Sequence, residues 1–349
     1  MTPDWLNAPI PDSSALRIQE AKQRQDQLTK PMGSLGRLEE IAIRLAGLQD
    51  RPFPKADRIR IVVFAGDHGV TAAGISPFPQ SVTVEMIRNF SKGGAAICVL
   101  ARHLGAVLEV VDVGAVQDPG PLPGVISHRA GPGTKDFRHQ AAMSRAELVT
   151  ALQAGAEAAR RASEAGMDIL IGGEMGIGNT TSAAAMVCAF LQTAPGLIAG
   201  PGAGLDTKGV ARKAEVIEHA LHYHRNHLRD PLDILAAVGG FEIVALVGAF
   251  IAAAQRRIPI LVDGFIVSAA ALAAVRIQPA LQPWLLFAHH SAEPGHKAIL
   301  DSLSVRPLIN LGMRLGEGSG AAVTVPVVRL ACAIHEEMAT FAEAGVSGA

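Results

Sequence analysis

The segment ILIGGEMGIGNTTSAAAM, Ile169 to Met186, changes character twice. An apolar run leads into a glycine-rich turn, and Asn179-Thr180-Thr181-Ser182 then opens an alanine-rich stretch. That order predicts a buried strand, a tight loop and a helix start. The design recurs along the chain. RIRIVVFAGDHG, AVLEVVDVG and IPILVDGF are likewise short apolar runs that end beside glycine. Between them lie helical stretches such as SKGGAAICVLARHL, SRAELVTALQAGAEAARRASEAG and TSAAAMVCAFLQ. Strands alternating with helices imply a sheet covered on both faces. The expected fold is α/β, with a doubly wound, mostly parallel, Rossmann-like sheet.

The flanks read differently. Residues 14–50 have apolar residues at helical spacing, interrupted at KPMGSLG, and the tail VTVPVVRLACAIHEEMATFAEAG returns to an amphipathic helix. We expect a large α/β domain over 57–284, and a small helical bundle made from 1–56 and 285–349.

Composition narrows the function classes. Hydrophobic residues make up 49% of the chain and charged residues 18%, which suits a large core and a buried subunit interface. Aromatics are only 4%, so Ala, Val, Ile and Leu must build that core. The net charge of −1, without a long basic run, argues against nucleic acid. Cys98, Cys188 and Cys332 stand far apart in apolar helical contexts, as small buried hydrophobes of a reducing compartment. The first residues lack a basic cap followed by an apolar stretch, and no apolar run reaches the roughly 18 residues of a membrane span. A cytoplasmic protein is expected.

The predicted strands end in acids beside or close to glycine: Asp67, Asp112, Glu174 and Asp263. Ligands of such sheets bind outside the carboxyl ends of the strands. The turn from Gly176 through Gly178 to Asn179, Thr180 and Thr181 can aim backbone N–H groups and a helix N-terminus at a phosphate. It lacks the lysine of a Walker loop and the spacing of a dinucleotide fingerprint, which favours a monophosphate. A well-capped helix without ligand has the same pattern. A second glycine loop, GPGAGLDTKGVARKAEVI, carries Gly202 and Gly204 ahead of Lys208, Arg212 and Lys213; such lysines neutralise phosphate or are merely solvated.

Metal chelation is disfavoured. Asp67 and His68 are adjacent on a strand pattern and point to opposite faces, and Pro294-Gly295 interrupts the helical spacing within HHSAEPGHK. Near the end, RLGEGSGAA places Glu317 between Gly316 and Gly318, after Leu315. Either the backbone needs a turn and the glutamate is incidental, or the glycines let a planar heterocycle reach its carboxylate.

Taken together, KPMGSLGRLE, FAGDHGV, GGAAICVLA, GGEMGIGNTT, VGGFEIV, PILVDGF, HHSAEPGH and MRLGEGSGAA resemble one family over nearly the whole chain, that of nicotinate-nucleotide–dimethylbenzimidazole phosphoribosyltransferase. The resemblance implies transfer of the phosphoribosyl group of nicotinate mononucleotide to 5,6-dimethylbenzimidazole with anomeric inversion. The products would be α-ribazole 5′-phosphate and nicotinate, for cobalamin assembly. Glu317 matches the family's base and Glu174 its second acid. The phosphate would lie against Gly176–Thr181 and Gly202–Gly204, with Lys213 as counter-charge. Asp263, Leu315, Gly316 and Gly318 join the substrate-binding set, and Phe78 and Met86 give the acceptor an apolar, soft wall. The resemblance implies a homodimer with small-molecule substrates only, and neither metal nor cofactor. A non-catalytic nucleotide-binding relative and a Rossmann-type oxidoreductase are the alternatives; the latter would need a dinucleotide fingerprint.

Overall fold

In the computed structural model, which describes residues 3–347, the apolar runs form one sheet. Its strands are β1 (Ile59–Gly66), β2 (Val107–Gly114), β3 (Val125–Ser127), β4 (Ile169–Met175), β5 (Ile260–Val262) and β6 (Leu285–Phe287). They lie in the order β3-β2-β1-β4-β5-β6, and every pairing is parallel. The strand order reverses between β1 and β4, which opens a crevice at their carboxyl ends.

Helices fill the connections. α1 (Ala15–Gln27) and α2 (Arg37–Gln49) precede the sheet, and α3 (Ser81–Lys92) and α4 (Ala96–Leu104) lead from β1 to β2. α5 (Arg145–Glu164) leads into β4, started by a capping box in which Ser144 and Glu147 satisfy each other's backbone N–H. Between β4 and β5 come α6 (Asn179–Leu191), the single turn α7 (Pro195–Ile198), α8 (Thr207–His224), α9 (Pro231–Val238) and α10 (Phe241–Gln255). α11 (Phe265–Ile277) joins β5 to β6, and α12 (Gly295–Ser302), α13 (Ser319–Glu337) and α14 (Phe341–Ala344) follow. α10 is buried on all sides, from Phe241 to Ala254, which explains its lack of a polar stripe.

The opening segment differs from the sequence expectation in one respect. Gly172 and Gly173 lie inside β4, and the turn begins only at Gly176. Successive strand residues face opposite sides of a sheet. A Cβ on Gly172 would press on Leu246 and Phe250 of α10, whereas one on Gly173 would meet the backbone of Glu317 and Gly318 at the head of α13. Both glycines therefore mark close approach to the strand.

The terminal helices pack together. Arg24 of α1 donates to the carbonyls of His335 (2.6 Å) and Glu336 (2.8 Å), at the carboxyl end of α13. Gln25 and the buried His335 ring are 2.9 Å apart. One continuous apolar core includes Ile41, Leu45 and Cys332 together with the sheet, and β6 lies just past residue 284, so the sheet takes in the first residues of the segment expected to be helical. The extreme N-terminus is strapped to the sheet's helical cover. Trp5 Nε1 donates to Gln153 at 3.0 Å, Gln255 donates to the carbonyls of Trp5 and Ala8, and Trp284 Nε1 donates to the Pro11 carbonyl at 3.2 Å. The three cysteines are buried and free.

Candidate active site

A cavity of about 390 Å³ opens at the carboxyl ends of β4, β5 and β6. Each strand delivers a polar side chain to it: Glu174 near the end of β4, Asp263 just after β5, and His289 just after β6.

Glu317 enters from the turn ahead of α13. Gly316, Glu317 and Gly318 have φ of +88°, +62° and +81°. The left-handed region disfavours side chains by roughly 1–2 kcal/mol, so holding a glutamate there requires its surroundings to fix it. They do so at both ends of the residue. Its N–H donates to the Glu174 carbonyl at 3.3 Å, and its carboxylate Oε2 accepts from the Ile97 N–H at 3.2 Å. Glu317 is only 5% exposed, so it is not an incidental surface residue. Burial raises its pKa, the Ile97 N–H lowers it, and the nearby Asp263 raises it again.

Glu174 is 5% exposed and accepts from Asn179 Nδ2, which sits at the start of α6. Burial, followed by the charges of Glu242 and Asp263, pushes it up to about 8, against the pull of Asn179. A carboxyl whose pKa rises on folding stabilises the fold below its unfolded value, and that stabilisation disappears as pH climbs through the folded value. Between pH 4.5 and about 8 the unliganded protein should therefore lose stability, and Glu174→Gln should flatten that decline. Parallel plots of Tm against pH for the two proteins would refute the assignment.

The opposite end of the cavity contains Gly176, Thr180, Gly202, Ala203, Glu293 and Arg314. Lys213 lies beneath this wall. Its Nζ donates to Thr180 Oγ1 at 3.2 Å and to the Gly200 carbonyl at 2.8 Å, and burial lowers its pKa to about 8. Glu293 Oε1 accepts from the Gly202 N–H at 3.0 Å, and Arg314 donates to the Gly202 carbonyl at 2.6 Å. Burial raises Glu293, while Lys213, the Gly202 N–H and Arg314 lower it. An apolar flank is made by Phe78, Val82, Met86, Met175 and Leu315.

The cavity thus brings together Glu317, Glu174, Gly176, Asn179, Thr180, Gly202, Phe78, Met86, Leu315, Gly316 and Asp263. Gly178, Thr181, Gly204, Lys213 and Gly318 lie outside its wall. Gly178 and Gly318 are the N-caps of α6 and α13, Thr181 is fully buried in α6, and Gly204 sits at an open turn. Of the four strand-end acids, only Glu174 and Asp263 reach the cavity. Asp112 is paired with Arg129 and accepts from the N–H groups of Gly114 and Ala115, and Asp67 accepts from the Val116 N–H at 2.8 Å.

Sequence reasoning missed His289, Ser291, Glu293 and Arg314. In the sequence the HHSAEPGH segment offers a metal-like spacing and a family motif, yet its residues take separate partners. His289 lies 3.5 Å from Asp263, Glu293 faces Gly202, and His296 bridges Ser268 Oγ (2.9 Å) and the Ser291 N–H (2.8 Å). Burial, then His289 and His290, lowers His296 to about 3, so it is a neutral structural ring. Among the described residues no group of three His, Cys, Asp or Glu is placed to hold a metal. Asp67 and His68 lie beyond the end of β1; His68 instead meets Glu242 at 2.7 Å, both fully buried below the crevice.

Comparison with known proteins identifies the family and the fold. The profile of a family described as "Phosphoribosyltransferase" matches residues 10–346. A Pseudomonas aeruginosa protein named nicotinate-nucleotide–dimethylbenzimidazole phosphoribosyltransferase is 56% identical over 347 residues, covering 99% of both chains. A Bradyrhizobium protein of the same name is 54% identical over 349 residues, covering 100% of this chain and 99% of its own. The crystal structure of CobT from Thermus thermophilus superposes with a TM-score of 0.92 at 44% identity, covering 96% of this chain and all of that one.

Proposed function

The chain belongs to the nicotinate-nucleotide–dimethylbenzimidazole phosphoribosyltransferase family, and from that premise we propose how its cavity performs the reaction. The enzyme moves phosphoribose from nicotinate mononucleotide to dimethylbenzimidazole, inverting the anomeric carbon and releasing nicotinate, in assembly of the cobalamin lower ligand. The leaving nitrogen is a pyridinium, so it departs neutral and needs no general acid. What the protein must provide is a base for the proton that the acceptor loses and an environment for an electron-poor ribosyl centre.

In our assignment Glu317 is the base. The observation that carries it is a buried carboxylate on the cavity wall with one oxygen committed to Ile97 N–H and no described donor on the other. The acceptor ring lies between that oxygen and the apolar flank of Phe78, Val82, Met86 and Leu315. Glu174 and Asp263 face the ribose, where the Asp263 carboxylate favours a developing positive charge. Glu174, raised to about 8, is largely protonated at neutral pH and can donate to a sugar oxygen. The phosphate occupies the Gly176–Thr180 and Gly202 end, where Lys213 contributes charge from behind Thr180 and Arg314 contributes it from the rim. Holding both rings on opposite faces of the sugar supplies further rate through orientation.

We also infer a homodimer, from the apolar composition and from large hydrophobics left bare on the single chain, such as Met32 and Leu311, which are 74% and 61% exposed. A cytoplasmic location is consistent with the fact that none of the described helices is long and apolar enough to cross a membrane.

Incubation with nicotinate mononucleotide and dimethylbenzimidazole should release nicotinate only when both are present, as resolved by chromatography. Tight nucleotide binding without base-dependent nicotinate would instead indicate a non-catalytic relative.

A further inference from the structure

The GGAAICVLA stretch, Gly93 to Ala101, contributes no side chain to the cavity wall. Its backbone nevertheless reaches the centre of the site. Ile97 is the second residue of α4, in the first turn, where N–H groups have no partner within the helix and the helix dipole is positive. The N-cap, Ala95, has no side chain able to satisfy them. Glu317 does so instead, from a position more than two hundred residues away in sequence: the contact spans 220 positions and is buried. It is the only hydrogen bond that this carboxylate accepts from the described residues.

We propose that the Ile97 amide is a positioning group for the base. By occupying Oε2 it leaves Oε1 as the oxygen that faces the acceptor N–H, and it ties the base to the helix pair that forms the acceptor's wall. α3 supplies Val82 and Met86 to the cavity and turns into α4 through a tight junction. In that junction Gly93 N–H donates to Phe90 O (3.0 Å), Gly94 N–H to Asn89 O (3.1 Å) and Arg102 to Gly93 O (2.8 Å). The acceptor's wall and the amide that aims the base are thus joined through one hydrogen-bonded junction. The other ionisable groups facing Glu317 are Asp263 after β5, Glu174 on β4, His289 after β6 and Cys98 on α4. None of them donates a hydrogen bond to its carboxylate.

The proposal rests on Glu317 as base, and the test separates the two. Replacing Ile97 with its α-hydroxy acid converts the amide that follows Ala96 into an ester, deleting one N–H while retaining the buried side chain. We expect kcat to fall about ten-fold, the magnitude of a lost hydrogen bond to a charged group, with KM for the nucleotide unchanged. The N–H favours the ionised carboxylate, so its loss moves the acid limb of kcat/KM to higher pH. A fall in kcat with an unmoved acid limb would mean a merely structural contact and overturn the proposal; an unchanged kcat would do the same. If the ester chain does not fold, Ile97→Pro removes the same N–H in a first helical turn, where proline is accepted, with Ile97→Val as control. Full activity in Glu317→Gln overturns the base assignment itself. An inactive Glu317→Gln beside an unaffected ester overturns only the role of Ile97.

Discussion

Glu317→Gln lowers kcat by about 10²–10⁴-fold, the range for loss of a positioned general base. The substitution is nearly isosteric. The amide oxygen of the glutamine can still accept from Ile97 N–H, and the glycines on either side still permit the left-handed backbone. Removing a buried charge costs little stability, because burial already disfavours the ionised form. The variant should therefore retain its fold, bind dimethylbenzimidazole and lose turnover. The sign of the pH effect also follows. Burial and Asp263 hold the Glu317 carboxyl above its ordinary range, so the wild-type kcat/KM falls on the acid side as the base is protonated, and that limb disappears in the variant. Steady-state assay of nicotinate release against pH measures both effects, and an undiminished rate would remove Glu317 from the mechanism.

Gly173→Ala should be nearly as damaging for a different reason. A methyl group there would stand 2.5 Å from the Glu317 carbonyl carbon and 2.8 Å from the Gly318 nitrogen. Both are main-chain atoms, with no rotamer to yield, so the turn carrying the base must move off β4. Overpacking of this kind typically costs about 1–3 kcal/mol, and a displacement near 1 Å at a reacting group can cost about 10²-fold in rate. We expect a Tm several degrees lower together with a comparable loss of kcat. Gly172→Ala is the internal control. Its methyl meets the outer atoms of the Leu246 and Phe250 side chains on the opposite face, so it should reduce stability while sparing kcat. Equal kcat losses in the two variants would show that the rate depends on the strand as a whole rather than on the contact with the turn.

The fold was legible where hydrophobic runs are long. The apolar stretches that became β1, β2, β4 and β5 are β-branched and end in glycine, and helical spacing marked α1, α2 and α13. β3 and β6 carry no such mark: they are as short as β5, but neither runs into an acid beside glycine. The glycines of β4 read as a turn because a sequence shows only that a side chain is missing. Whether the space is needed for a bend or for a neighbour depends on α10 and α13, which lie far along the chain. The same distance limits the reading of the site. Glu174, Asp263 and Glu317 announce themselves as acids beside glycine. The pairing of Glu293 with Gly202 and of His68 with Glu242 exists only once the sheet has brought its strand ends together. The Ile97 contact had no sequence signal at all, since every residue except proline has an N–H.

The N-terminal strap has a spectroscopic consequence. The chain has just two tryptophans, and Trp5 and Trp284 are the two indoles that anchor residues 4–12, against Gln153 and Pro11. Neither borders the cavity. Their ultraviolet emission is thus a gauge of whether the strap is seated, and it is silent about occupancy of the catalytic crevice. A wavelength shift on heating would register release of the strap together with the packing around Trp284, which is itself buried in the core beside β6.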